Sequence, residues 1–266
     1  MKKFLHFIII LFIYQLFFQN NANSQLVLDS VFKKEKVLFE VGIATPIAIT
    51  SKEFFDKYQS QYLKGTKSQF KSGVQFHGAF KWLYSDYYTF GISADFFQSK
   101  IQDVYTVQYI SSRDIPYNRT YLQSIIVNTI PVFLTCEITP VVSQFKSYCG
   151  FGIGASTGYI TWWEEVHSDL YDDKRIGGKH IDDNIIAPAA KAYVGVQLGF
   201  DDKKKQNVVN SFILEVSTTY IHRNVDFFGK VKEQFDSHPD IFNENTFIMP
   251  FYISIAAYVS FNLDRM

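Results

Sequence analysis

From about residue 37 to the C-terminus the chain alternates apolar with small or polar residues at a period of two, the mark of strands with two unlike faces. The last segment is clearest. Phe251, Ile253, Ile255, Ala257, Val259, Phe261 and Leu263 are apolar, with Tyr252, Ser254, Ala256, Tyr258, Ser260 and Asn262 between them. The same alternation marks segments near 37–48, 73–83, 87–100, 121–138, 145–162, 189–200 and 208–222. That predicts eight strands, each at least as long as the ~9–11 residues a tilted strand needs to cross a bilayer.

The two faces differ in kind. One is bulky and ring-rich, as in Val74, Phe76, Phe80 and Trp82, or Phe212, Leu214 and Val216. The other carries glycines (Gly150, Gly152, Gly154, Gly195, Gly199), hydroxyls and single charges. Small residues fit the interior of a narrow barrel, and a continuous apolar face fits lipid. Aromatic residues near strand ends, Trp82, Tyr84, Tyr87 and Tyr88 at one rim and Tyr159, Trp162, Trp163 and Tyr220 at the other, read as interfacial girdles. The expected fold is all-β: a closed, antiparallel, eight-stranded transmembrane barrel in an up-and-down meander. A water-soluble sandwich or lipocalin-like barrel is the competing reading.

The connections support the membrane form. Long ones fall near 49–72, 101–120, 163–186 and 224–246, and short ones at Ser85-Asp86, 139–144 and Asp201 to Asn207. Outer-membrane barrels pair short periplasmic turns with longer outside loops, so both termini are expected on the periplasmic side. Pro46, Pro188 and Pro250 fall towards strand ends, whereas Pro131 lies mid-strand and predicts a bulge.

The N-terminus points to the same compartment. Met1-Lys2-Lys3 is a basic start, Phe4 to Phe18 is apolar, and Ala22-Asn23-Ser24 puts small residues before a cut at Gln25. Residues 1–24 therefore read as a cleaved signal peptide and 25–266 as the barrel domain, after which no stretch is long enough for a spanning helix. Removing the signal takes away two lysines and no acid, leaving 24 basic against 26 acidic groups, net −2. That balance gives no electrostatic case for nucleic acid.

The chain resembles the outer-membrane β-barrel proteins of Bacteroidetes, the PorT-like group. The resembling residues are Phe39-Glu40-Val41-Gly42-Ile43, Thr129-Ile130-Pro131-Val132-Phe133-Leu134, Tyr148-Cys149-Gly150-Phe151-Gly152-Ile153-Gly154, Leu214-Glu215-Val216 and the alternating last strand. The resemblance implies an outer-membrane location and no single activity; one branch is linked to protein secretion. Such barrels often finish on an aromatic residue, whereas here Leu263-Asp264-Arg265-Met266 follow Phe261.

Candidate chemistry is sparse. Glu40, Lys81, Asp95, Lys191 and Glu215 project inward and are expected to pair structurally, with Glu215–Lys191 first. Cys136 and Cys149, on consecutive strands around a short turn, fit a cross-strand disulfide or two buried thiols equally well. His167, Asp169, Asp172, Asp173, His180, Asp182 and Asp183 share one loop without a tight ligand spacing. Trp162-Trp163 before that loop could form a partner platform, the girdle being the simpler reading. Gly154-Ala155-Ser156-Thr157-Gly158 matches a nucleophile elbow by letter, but lies inside a strand rather than at a strand-to-helix turn. No catalytic residue, cofactor or metal is assigned. The expected function is that of a non-enzymatic envelope protein acting in membrane integrity, partner binding or secretion, with outer-membrane lipids and an envelope or secretion-apparatus protein as partners. The alternatives are a lipid-modifying enzyme and a narrow pore.

Overall fold

Eight long strands close into a ring by antiparallel pairing of each with the next. In the computed structural model they are β1 (Val37–Ile49), β2 (Lys71–Leu83), β3 (Tyr88–Ile110), β4 (Pro116–Ile138), β5 (Phe145–His167), β7 (His180–Gly199), β8 (Val209–Ile221) and β11 (Phe251–Asn262). The ring is sealed where β1 pairs β11, Gly42 lying opposite Tyr258. Two-residue strands β6 (Arg175–Ile176), β9 (Asn224–Val225) and β10 (Thr246–Phe247) and the helix α1 (Lys52–Tyr58) decorate one end among the described residues. The residues described are 37–49, 52–59, 65–85, 87–140, 145–167, 175–176, 180–199, 208–225, 227–228, 246–248 and 251–263. The expected signal peptide at 1–24 lies outside them, as do Asp169, Asp172 and Asp173 and the side chains of His167, His180, Asp182 and Asp183.

The alternation maps onto the wall as the sequence predicts. Leu134 is 63% exposed, Ile153 63%, Ile43 57% and Leu214 52%, while the residues between them are largely buried. A water-soluble monomer rarely shows apolar patches beyond a few hundred Å². This one shows them on all eight strands, so the barrel has the inverted polarity of a transmembrane barrel. On β3 the outward row runs Tyr88, Phe90, Ile92, Ala94, Phe96 and then turns polar at Gln98, Lys100 and Gln102. Nine residues at ~3.4 Å each cover about 30 Å along the strand. A ~40° tilt reduces this to about 23 Å of height, close to the ~25 Å band of such barrels.

The start of β1, the end of β11 and the short connections share one end of the cylinder, here the turn end; the longer connections share the other, the loop end. Two of the expected loops are largely strand. β3 and β4 continue as a hairpin to a five-residue connection at 111–115, in which Ser111 Oγ accepts from the N–H of Arg113 (3.4 Å) and of Ile115 (3.1 Å). β5 likewise runs to His167, and β7 starts at His180. The barrel is therefore lopsided: β3, β4, β5 and β7 have 20 to 23 residues, against 12 or 13 in the others. The bulge expected at Pro131 is absent. β3 and β4 keep one register on both sides of it, leaving only Asp95 and Phe96 unpaired with β4, so the missing N–H is absorbed by a gap rather than an extra residue. Pro46 and Pro188 fall past the last residues that pair with β2 and β8 respectively, so each is flanked on one side only, by Ser254 of β11 and Ala155 of β5.

Candidate functional site

The lumen has two storeys. At the turn end it is polar, and all eight strands contribute. Lys81 Nζ on β2 lies 2.7 Å from Glu40 on β1 and 2.5 Å from Glu137 on β4. Lys191 on β7 lies 3.2 Å from Glu215 on β8 and 3.6 Å from Asp95 on β3. The Tyr148 and Tyr258 hydroxyls, from β5 and β11, donate to Glu215 at 2.9 and 3.2 Å. His77 Nδ1 is 2.7 Å from Asp95, and its ring stacks on Tyr258 with centroids 4.2 Å apart. Every one of these side chains is buried. A buried charge without a partner costs several kcal/mol, and here each carboxylate has an ammonium or imidazole neighbour.

Glycine makes the room. A Cβ at Gly150 would overlap the Tyr193 ring, and one at Gly195 would overlap the Tyr148 ring. The two tyrosines thus lie flat against neighbouring strands while their hydroxyls reach into the charged layer. Beneath this layer a small recess of about 30 Å³, partly open to solvent, faces the turn end. Glu40, Lys81, Glu137, Lys146, Tyr148 and Asn210 are among its walls.

At the loop end the lumen is closed by an aromatic plug. Helix α1 buries Phe54, Phe55 and Tyr58 on one side, and these pack with Phe70, Phe227, Phe228 and Ile248 onto Phe97, Ile101, Ile125, Trp162 and Tyr252 of the wall. Lys57 and Glu53 bridge at 3.5 Å on the opposite side of the helix. Between the storeys lies Arg223, 1% exposed, its guanidinium donating to Thr129 Oγ1 at 3.2 and 3.3 Å.

Asp103, above the apolar band on β3, holds the plug in place. Its carboxylate accepts from the Thr66 N–H, from Thr66 Oγ1 at 2.7 Å, from the Lys67 N–H at 3.1 Å and, more weakly, from the Tyr58 hydroxyl at 3.5 Å. Burial alone would raise its pKa. The hydrogen bonds from Thr66 and Lys67 outweigh burial and hold it below the usual carboxylate value of ~3.9. Burial and the same carboxylate push the Tyr58 phenol up. A depressed carboxyl contributes stability above its unfolded pKa and loses it as pH falls through the folded one. The plug should therefore stay docked at pH 5 and loosen only below about pH 4. Asp103→Asn should loosen it at neutral pH, lowering amide-exchange protection of 65–67 by roughly tenfold to a hundredfold for charged bonds worth ~1.5–3 kcal/mol. Unchanged exchange would show that the plug needs no such latch.

Glu40, Lys81, Asp95, Lys191 and Glu215 are thus brought together in the turn-end storey. Sequence reasoning did not single out Glu137, the second carboxylate on Lys81, although its inward position follows from the alternation of β4. Arg223 follows the last residue of β8 and carries no such signal. Cys136 and Cys149 are free thiols: Cys136 is opposite Phe151 and Cys149 opposite Ile138, two residues off the register that a bridge requires. Trp162 is not a girdle residue but points inward, fully buried, while Trp163 lies half-buried on the outer face. Ser156 of the elbow-like pentapeptide is buried within β5, its hydroxyl 3.5 Å from the Thr157 carbonyl. Ser217 is buried in the lumen, and His222 is exposed, 2.8 Å from the Tyr220 hydroxyl.

No family model matches the chain, and no curated protein matches it. Solved structures similar to it include Neisserial surface protein A, NspA, at 11% identity and TM-score 0.40, covering 85% of this chain and 97% of that one. The Ail protein of Yersinia pestis, solved with the heparin analogue sucrose octasulfate, is 9% identical with TM-score 0.36, covering 85% and 97%. The N-terminal β-barrel domain of Pseudomonas aeruginosa OprF is 9% identical with TM-score 0.31, covering 85% and 98%. Likenesses at this level add nothing to the strand count and pairing given above.

Proposed function

We propose that this chain is a non-enzymatic outer-membrane barrel of the cell envelope, a closed wall that presents its tall loop end to a partner rather than a passage for solutes. The observation that carries this is the double closure of the lumen, by ion pairs below and by the α1 plug above. An eight-stranded cylinder has room only for filling side chains, and here they fill it. Export through a signal peptide cleaved before Gln25 would leave both termini in the periplasm and the β3–β4 hairpin outside. The PorT-like resemblance adds assistance to protein secretion as the narrower reading and makes an envelope or secretion-apparatus protein the partner to seek; it rests on the short strand patterns alone.

Conductance tests the closure. Purified barrel reconstituted in planar bilayers should give no unitary current steps at neutral pH, and deleting 52–58 should not produce them while the charged storey remains. Steady steps from the parent chain would overturn this reading in favour of a narrow pore.

A further inference from the structure

We propose that the outer surface where β2 meets β3 holds one phosphate-bearing anionic lipid, with its acyl chain on Phe76 and Phe96 and its phosphate between Lys71 and Lys100. The proposal rests on the transmembrane reading and adds a ligand to it.

The starting point is a like-charge pair. Lys71 and Lys100 are directly opposite one another across the β2–β3 ladder. Like charges so placed destabilise a sheet. Neither lysine has a carboxylate partner among the described residues. Lys67, also exposed, is four residues before Lys71 and adds a third positive charge near that end of β2.

A bulge puts the pair there. Gln75 points into the lumen opposite Phe97, and Ser72 pairs Ser99, so Gly73 and Val74 together oppose Gln98 alone. Two-residue steps down from Gln75 would turn Lys71 inward with Gly73. The extra residue reverses the parity and turns Lys71 outward beside Lys100. A regular ladder would have avoided the repulsion, and the bulged one creates it.

The height is that of lipid phosphates. Directly below, the Phe76 and Phe96 rings stack with centroids 6.5 Å apart, and both are exposed to the outside. Phe96 ends the unbroken apolar outward row of β3, and Gln98, Lys100 and Gln102 follow it before the next apolar outward residue, Val104. Lys100, four residues on, is about 13 Å further along the strand, or about 10 Å higher at a ~40° tilt. Apolar rings below two ammonium groups match a single lipid: chain against rings, phosphate against charge. Each lysine near a charged membrane surface contributes about 1 kcal/mol, a factor of about five in affinity.

The test uses the full barrel in detergent, first shown to be folded by its gel mobility before heating. Native mass spectrometry then compares retention of phosphatidylglycerol and of phosphatidylcholine with the same chains. The parent should prefer phosphatidylglycerol by roughly 30-fold, Lys71→Gln or Lys100→Gln should each lose about fivefold, and the double variant should lose the preference. Lys52→Gln, on α1, should lose none. Thermal melting adds a sign that a structural role would not give. In zwitterionic micelles K100Q should melt no lower than the parent, because repulsion is relieved. In phosphatidylglycerol bilayers it should melt lower. Retention unchanged in the double variant overturns the lipid site and leaves the membrane reading intact. Stabilisation by inorganic phosphate equal to that by phosphatidylglycerol overturns it in favour of a free anion. A barrel that folds only without lipid or detergent removes the transmembrane reading, and this proposal with it.

Discussion

Lys81→Met will cost the barrel about 3–5 kcal/mol and shift its urea midpoint sharply downward, although methionine fills most of the space that lysine occupied. The reason lies in what stays behind. Glu40 and Glu137 both point at Lys81 Nζ, at 2.7 and 2.5 Å, and both are buried. Without the ammonium group, two buried carboxylates are left together beside the turn-end recess, where Lys146 is the other basic residue among the described walls. The next pair, Lys191 with Glu215 and Asp95, is already committed. The triple variant Lys81→Met, Glu40→Gln, Glu137→Gln should recover most of the loss, because replacing a whole buried ion set by neutral groups is often neutral or stabilising. The measurement is urea unfolding in lipid vesicles, followed by gel mobility without heating and by tryptophan fluorescence. Rescue by the triple variant separates an electrostatic role from mere packing: if Met at 81 is tolerated alone, or if the amides restore nothing, the charged storey does not hold the wall together.

That storey was half legible in the sequence. Glu40, Lys81, Asp95, Lys191 and Glu215 could be assigned inward because period-two alternation needs only local residue order, and burial of one face is enforced in each strand separately. Partner identity was not legible to the same degree. Lys191 reaches Glu215 although the register puts Lys191 opposite Thr219 and Gly195 opposite Glu215. Long side chains choose partners diagonally across a closed ring, which depends on the stagger between strands. The Cys136–Cys149 question turned on the same stagger, off by two residues. The missed hairpin has a different cause. Beyond Phe96 the outward residues of β3 become Gln98, Lys100 and Gln102, so the contrast between faces fades as the strand leaves the membrane, although Ile101, Asp103 and Tyr105 still alternate with them. The plug was invisible for a third reason: Phe54, Phe55 and Tyr58 belong to a seven-residue helix whose burial depends on Phe97, Trp162 and Tyr252, remote in sequence.

Leu134→Arg will destabilise the folded barrel by about 2–4 kcal/mol in a bilayer, the cost of an arginine near the midplane of a transmembrane barrel. Leu134 is 63% exposed and lies between Ile92 on β3 and Ile153 on β5, both exposed and apolar, near the middle of the outward band. In water this would be a harmless surface change, since exposed substitutions away from special contacts usually stay within about 0.5 kcal/mol. In lipid the guanidinium has no water, and its outward neighbours among the described residues, Ile92 and Ile153, offer no carboxylate. The comparison that isolates depth is Gln102→Arg, which also points outward, on β3, but above the band. There the same side chain should cost at most about 1 kcal/mol, as near an interface. Urea midpoints in vesicles for both variants give the difference. An arginine at 134 that costs no more than one at 102 would mean that no hydrocarbon surrounds Leu134. The apolar exterior would then have to be covered by protein, and the outer-membrane role would fall with it.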